Sequence, residues 1–325
     1  MESTTRITQE IYQVLVPIPF PLRNVNCYLV READGWTMID TGLHYAPAFE
    51  AWEDAFRTLQ MTPRDIRRII LTHTHPDHYG LAGYFQQISS APVYALDEEI
   101  RIVPRQWSSG HGHTQTLAAF LDEHGAPRSV IERVSSRTLE VQQMLEPQPV
   151  LSPLHAGDEI QLGEATYRIH WTPGHADGHL ILHREHDGVI LSGDLVLLKI
   201  TPNIALWPGL DQNPLRSFLT SLDQLELLNP SLALPGHRGL ISDVPGRIRE
   251  LREHHRQRLQ ACYEGARDGC SGYQVCLRVF PRLENVDDIR LGLVETLAHL
   301  EYLVGEGRLE RLEDEITSYR QRRRK

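Results

Sequence analysis

The sequence of 325 residues carries 33 Lys+Arg against 43 Asp+Glu, a net charge of -10. Its 41% hydrophobic content is enough for one large core or two ordinary ones, and too much for a disordered chain. No apolar run approaches the roughly 20 residues that span a bilayer, residues 1–6 lack a secretory pattern, and four cysteines (Cys27, Cys262, Cys270, Cys276) are too few for a disulfide framework. The expectation is a soluble cytoplasmic protein with no membrane partner.

In chain order, residues 25–30 and 36–40 read as strands around the turn Ala33-Asp34-Gly35. Residues 46–59 show helical spacing (Phe49, Trp52, Phe56, Leu59). A buried strand over 66–71 leads into a histidine-rich loop, followed by a short helix over 81–88 and a strand over 92–95. Residues 97–145 turn mostly helical, a connection longer than compact domains usually carry. Either a cap over one side of a cleft or a satellite helical hairpin fits this insertion. Strands resume at 164–169, 180–183 and 189–191, then a helix covers 218–228 and a last strand 232–234. Beyond about residue 245 long helices dominate: 247–266, then 271–279 with a capping box of Ser271 and Gln274, then 286–304. Gly305-Glu306-Gly307 stops that helix and can begin a small hairpin. The reading is therefore two parts, residues 1–240 and a winged-helix-like helical module over 241–325 with a basic tail.

Chemistry concentrates in Leu71-Thr72-His73-Thr74-His75-Pro76-Asp77-His78, directly after an apolar strand. Imidazole is the commonest metal ligand among side chains, and carboxylate suits a harder position. Four such groups in six residues would crowd a loop that held no ion, because each polar atom needs its own partner. Three more segments place a ligand-type residue beside glycine just past a strand: Thr172-Pro173-Gly174-His175, Leu191-Ser192-Gly193-Asp194 and Leu234-Pro235-Gly236-His237. Four strand-end loops of this kind converge on one edge of a β-sandwich and make two metal sites with a shared carboxylate. No G-x-S-x-G elbow, P-loop or dinucleotide fingerprint competes.

These motifs, in this order, resemble the metallo-β-lactamase superfamily of metallohydrolases over roughly the first 240 residues. The resemblance implies an α/β fold, an αββα sandwich, here with a helical insertion. It implies two divalent ions: His73, His75 and His175 on one, Asp77, His78 and His237 on the other, and Asp194 bridging. Zinc fits nitrogen-rich ligation best, with iron or manganese as alternatives. Asp40, in Ile39-Asp40-Thr41-Gly42, matches the family's first motif, whose role is to steady the histidine loop. Asp194 stands where many lactamases place cysteine, which looks more like the glyoxalase II, lactonase and ribonuclease branches. The helical end resembles the beta-lactamase-like-protein-2 group, which includes an endoribonuclease.

The implied reaction is attack by a hydroxide held between two metals, with Asp77 and Asp194 in the catalytic set. Tyr79 and Asn203 are candidates for binding the developing oxyanion. His179 reads as a hydrogen-bonding support, His111 and His113 as loop residues, and His254 and His255 as a solvated helix face. Residues 1–240 hold 17 Lys+Arg against 28 Asp+Glu; residues 241–325 hold 16 against 15, with 5 of the basic residues in the tail 320–325. That balance ranks a small-molecule thioester, lactone or ester substrate above RNA. A metal-dependent endoribonuclease or phosphodiesterase is the second reading and a non-catalytic metal-binding interaction protein the third. An oligomer is compatible with the apolar C-terminal helices.

Overall fold

The computed structural model describes residues 4–107, 112–267 and 269–322. Strands β1 (Thr4–Arg6), β2 (Ile11–Pro17), β3 (Asn24–Arg31), β4 (Trp36–Ile39), β5 (Ile66–Ile70), β6 (Val93–Leu96) and β7 (Leu151–Leu154) form one sheet in that order. It is antiparallel from β1 to β4 and parallel from β4 to β7. A second sheet holds β8 (Glu159–Leu162), β9 (Ala165–Trp171), β10 (Leu180–Arg184), β11 (Val189–Gly193) and β12 (Leu232–Pro235), with only the β11–β12 pair parallel.

Alternation along the strands builds the layers. Tyr28, Val30, Ile39 and Ile70 of the first sheet meet Tyr167, Ile169, Leu182 and Leu191 of the second in one cluster between the sheets. Their sequence neighbours Leu29, Met38 and Ile69 face outward, onto helix α1 (Ala46–Thr58), the one-turn α2 (Pro76–Tyr79) and α3 (Ala82–Ser89), through Trp52, Tyr79 and Phe85. On the far side Ile181, Ile190 and Ala233 pack under α7 (Pro214–Leu228) and α8 (Val244–Gly265). The result is the expected αββα sandwich.

The insertion is three helices, α4 (Asp97–Gln106), α5 (Gly112–Glu123) and α6 (Arg128–Gln143). After α8 come β13 (Cys270–Ser271), α9 (Gly272–Val279), α10 (Val286–Gly305), β14 (Leu309–Leu312) and β15 (Ser318–Gln321), the three strands forming a small antiparallel sheet in the order β13-β15-β14. The capping box is present: Ser271 Oγ accepts from the Gln274 N–H at 3.3 Å, and Gln274 Oε1 accepts from the Ser271 N–H at 3.1 Å. Leu117, Leu121, Val130 and Val134 of the insertion share an apolar cluster with Cys262, Val275, Leu297 and Tyr319. The insertion and the C-terminal helices are thus packed on one another. No helix among the described residues is long and apolar enough to cross a membrane.

Candidate metal centre

Each ligand-type residue sits where a strand runs out at one edge of the sandwich. After β5 the chain turns through Leu71–His75, and Pro76 opens α2, which aims Asp77 and His78 back at the same point. His175 follows β9, Asp194 follows β11 and His237 follows β12. Close approach explains two of the flanking glycines. A Cβ on Gly236 would lie 2.4 Å from Asp194 Oδ1 and 2.6 Å from His78 Cε1, filling the space the ligands share. Gly174, at φ +131°, would meet the Phe218 backbone at 2.5 Å. The β3 strand anchors the last loop: Asn26 Nδ2 donates to the carbonyls of Pro235 (2.9 Å) and Arg238 (2.8 Å), and the Tyr28 hydroxyl donates to Pro235 O at 2.8 Å.

The seven predicted ligands come together. His75 Nδ1 lies 3.0 Å from His73 Nε2 and 2.9 Å from His175 Nε2. Asp194 Oδ2 lies 3.4 Å from His175 Nε2 and 3.5 Å from His237 Nε2, and Asp194 Oδ1 lies 3.6 Å from His78 Nε2. His237 Nε2 is 3.2 Å from Asp77 Oδ2. Among the described residues three overlapping donor sets result: His73, His75 and His175; His73, His78 and Asp194; and Asp77, His78 and His237.

Proton bookkeeping shows which lone pairs point inward. The Thr72 hydroxyl donates to Asp40 Oδ2 at 2.8 Å, so it accepts from His73 Nδ1–H at 3.0 Å and leaves Nε2 bare. His175 Nδ1–H donates to the Asn203 carbonyl at 2.9 Å, and His237 Nδ1–H to the Asn24 carbonyl at 2.8 Å. His78 Nδ1–H donates to Asp40 Oδ2 at 2.8 Å. The bare Nε2 atoms of His73 and His175 both converge on His75 Nδ1, three imidazole nitrogens set as they would be around one cation. A tetrahedral ion with bonds of 2.0–2.1 Å would space its ligand atoms about 3.3 Å apart. His78 Nε2 and Asp194 Oδ1 are buried without any hydrogen-bond partner, which costs free energy unless an ion occupies the cradle. The residues present fit a metal pair.

The electrostatics divide the cluster. Burial, joined by the neighbouring imidazoles, holds His73 and His75 well below the usual histidine range, and burial lowers His175 too, keeping all three neutral and able to ligate. On the other side burial opposes charge, yet Asp194 and Asp77 lift His237 to about 10, and Asp194 with Asp40 raises His78. Against the same desolvation, His78 and His237 draw Asp77 down to about 2 and hold Asp194 well below the carboxylate range. The carboxylates are ionised, as ligation requires, while His78 and His237 hold a proton toward those carboxylates that a bound ion would displace.

Asp40 holds the loop as its motif implied, accepting from the Thr72 N–H, the Thr72 hydroxyl and His78 Nδ1, each at 2.8 Å. His179 is also a support: its Nε2 accepts from the Asp194 N–H at 3.0 Å, and its Nδ1 meets Thr72's counterpart in the next loop, the Thr172 hydroxyl, at 2.8 Å. The sequence reading missed Glu99 on α4. It is buried and accepts from the Thr74 N–H (2.7 Å), the Thr74 hydroxyl (2.6 Å) and the Gly178 N–H (2.9 Å), tying the His75 loop to the His175 loop. Nothing local in the sequence signals it beyond a carboxylate in the first turn of an otherwise amphipathic helix.

Three expectations need correction. Tyr79 is fully buried in the apolar layer with Trp52 and Phe85, its hydroxyl without a partner, so it does not face a substrate. Asn203 turns its side chain away, donating to Glu295 Oε2 at 3.1 Å and Leu291 O at 3.4 Å; its backbone carbonyl is what serves the cluster. His255 is buried, its Nδ1 3.0 Å from His299 Nε2 between α8 and α10, and is no solvated face. His113 lies beside Trp107, their ring centroids 6.1 Å apart, and joins none of the donor sets; His111 lies outside the described residues.

A small cavity opens beside His75 and His175, walled by Ile102 and Gln106 of α4 and by Asp177, Ala205, Trp207 and Leu210. The insertion therefore divides its work: α4 borders the cleft, while α5 and α6 join the C-terminal core.

Comparison with known proteins agrees with this architecture. The model of the metallo-beta-lactamase superfamily matches residues 20–237. The protein called Probable metallo-hydrolase YqjP, from Bacillus subtilis (strain 168), is 26% identical over 327 residues, spanning 96% of this chain and 95% of its own length. A Beta-lactamase-like protein 2 homolog from Drosophila melanogaster is 25% identical over 260 residues, 79% of this chain and 74% of its own. The crystal structure of a metallo-beta-lactamase family protein from Thermus thermophilus superposes with a TM-score of 0.88 at 36% identity, covering 98% of this chain and 100% of that one. The chain belongs to the metallo-beta-lactamase superfamily and is a hydrolase of that superfamily whose histidine and aspartate cluster is able to bind metal.

Proposed function

We propose that the chain is a dinuclear metal-dependent hydrolase of small-molecule thioesters, lactones or related esters. The observation that carries the metal pair is the convergence of seven ligand-type side chains, two of whose buried atoms, His78 Nε2 and Asp194 Oδ1, have no hydrogen-bond partner. His73, His75 and His175 would hold one ion, Asp77, His78 and His237 the other, with Asp194 between them. The nitrogen-rich donor set favours zinc, with iron or manganese as alternatives. Bound there, divalent ions supply Lewis acidity and bring the pKa of water close to neutrality.

The chain's own residues do the remaining work. Asp40, Glu99 and the carbonyls of Asn24 and Asn203 fix the ligand rings before substrate arrives, so little reorganisation is left to the reaction. Ile102 of α4 and Ala205, Trp207 and Leu210 of the segment before α7 place apolar surface beside His75 and His175, which suits the apolar part of an ester or thioester.

Choice among substrates rests on that surface. Among the described residues its charged members are Glu99 and Asp177 and none is Lys or Arg, whereas a nucleic-acid backbone asks for cations along its path. The metal-dependent endoribonuclease remains the second reading, favoured by the helix-strand-helix-helix-strand-strand order of the C-terminal region, which we read as winged-helix-like. Elemental analysis paired with a panel of thioesters, lactones, phosphodiesters and single-stranded RNA tests both. Two metals per chain with ester or thioester turnover supports the proposal. Cleavage of RNA alone overturns the substrate ranking, and a metal-free, inert protein overturns the whole.

A further inference from the structure

Between Asp194 and α7 the chain crosses from the ligand cluster to the C-terminal helices and back without regular structure. Arg247 of α8 grips its start, Nε donating to Leu197 O at 2.7 Å and Nη2 to Ile200 O at 2.6 Å. Its middle is pinned to α10: the Leu206 N–H donates to Val294 O at 3.0 Å, and Asn203 Nδ2 donates to Glu295 Oε2 at 3.1 Å. The carboxylate of Glu295 is held from the other side by Arg258 of α8, 3.3 Å from Oε1, whose guanidinium also lies 4.1 Å from the Phe280 ring centroid. The backbone carbonyl of the same Asn203 receives His175 Nδ1–H at 2.9 Å.

We propose that Glu295 is a positioning residue for the metal centre, fixing the Asn203 carbonyl through the Asn203 side chain and so the orientation of the His175 ring. This inference rests on the reading of His175 as a metal ligand. A ligating imidazole keeps its lone pair on the ion only while its other N–H has a fixed acceptor, and losing such a partner typically costs 10–100-fold in metal affinity. The acceptor here is a loop carbonyl, which has no rigid element of its own; α10 supplies the rigidity. Ala205, Trp207 and Leu210 of the same segment line the small cavity beside His75 and His175, so the C-terminal helices also bear on the surface next to the cluster. The catalytic unit accordingly extends past the last ligand-bearing strand, β12, to take in α8 and α10.

The test uses the full chain loaded with cobalt(II), whose visible absorption bands report ligand geometry without any substrate. A His75→Ala variant identifies the bands of the three-histidine site. In Glu295→Ala and Asn203→Ala the cobalt affinity of that site should fall at least tenfold with altered bands. Glu295→Gln, whose amide oxygen still accepts from Asn203 while its NH2 meets Arg258, should lose several-fold less than Glu295→Ala. The double variant Asn203→Ala/Glu295→Ala should be no worse than Asn203→Ala, which already removes the donor to both Glu295 Oε2 and Leu291 O. Unchanged affinity and bands in Glu295→Ala, equal loss in Glu295→Gln, or effects that multiply in the double variant would each overturn the proposal. If Glu295→Ala does not fold, Asn203→Ala decides by itself: loss supports the link and retention refutes it. Failure of the unmodified chain to bind cobalt would instead overturn the metal reading itself.

Discussion

Replacing Asp40 by Asn isolates the contribution of one buried carboxylate to the metal centre. Asp40 has φ +57°, a left-handed conformation that Asn adopts readily, so the backbone is spared. Its Oδ1 bond from the Thr72 N–H survives, since the amide oxygen can take that place. Oδ2, which accepts from both the Thr72 hydroxyl and His78 Nδ1 at 2.8 Å, becomes an NH2 group. The hydroxyl can rotate to accept from that amide, but His78 Nδ1–H then faces a donor. Its escape is to keep the proton on Nε2 instead, which removes the lone pair an ion at His78 would need. A hydrogen bond to a charged group is worth about 1.5–3 kcal/mol net, corresponding to roughly 10–150-fold in affinity for the ion at His78. Metal competition against a chelator of known affinity reads this directly. Asp40→Asn should keep the three-histidine ion and release the second at least tenfold more easily. Two ions retained at unchanged affinity would refute the claim that Asp40 sets the His78 tautomer.

His75→Ala should lose at least one ion and most turnover, since His75 Nδ1 touches both His73 Nε2 and His175 Nε2; full activity with full metal content would remove it from the ligand set. Gln106→Ala, on the cavity wall, should raise KM severalfold with metal content unchanged, measured by steady-state kinetics beside elemental analysis. Acid should unfold the protein through the buried pair His255 and His299. Burial, joined for His255 by the neighbouring His299, depresses them to about 2 and about 3, from an ordinary value of 6.5. The unfolded chain then binds more protons, so the stability they contribute is complete above pH 6.5 and is lost as pH falls below it, at about 1.4 kcal/mol per unit for each histidine. Denaturant unfolding at pH 7.5, 6 and 5 should give a slope that falls by about one proton in His299→Gln relative to the unmodified chain; identical slopes would contradict the assignment.

The ligand loops were legible because their chemistry is consecutive. Five imidazoles and two carboxylates each follow a strand, and a strand end is where a sandwich presents side chains together. What holds them was legible only where a motif named it, at Asp40. Glu99 and the carbonyls of Asn24 and Asn203 act across chain separations that no local pattern records. Tyr79 was misplaced because one residue along a helical turn rotates a side chain by about 100°, which sends His78 to the cluster and its neighbour into the apolar layer. His255 carried a usable signal: it continues the buried spacing Ile248, Leu251, His255, Cys262 along α8, which the surrounding charges masked. Strands β7 and β8 escaped notice because four residues, in β7 interrupted by Pro153, hold too little alternation to read.

The seam between α5, α6 and the C-terminal helices bears on how this chain could be shortened. Leu117 and Leu121, far upstream of Val275 in the chain, take their oily cover from what α9 and α10 bring. Pruning after Leu240 would leave both faces wetted and sticky, and excising the insertion would strip the far end in the same way. Protein engineers seeking a minimal version would have to remove the pair together, or graft a replacement surface onto whichever half they kept.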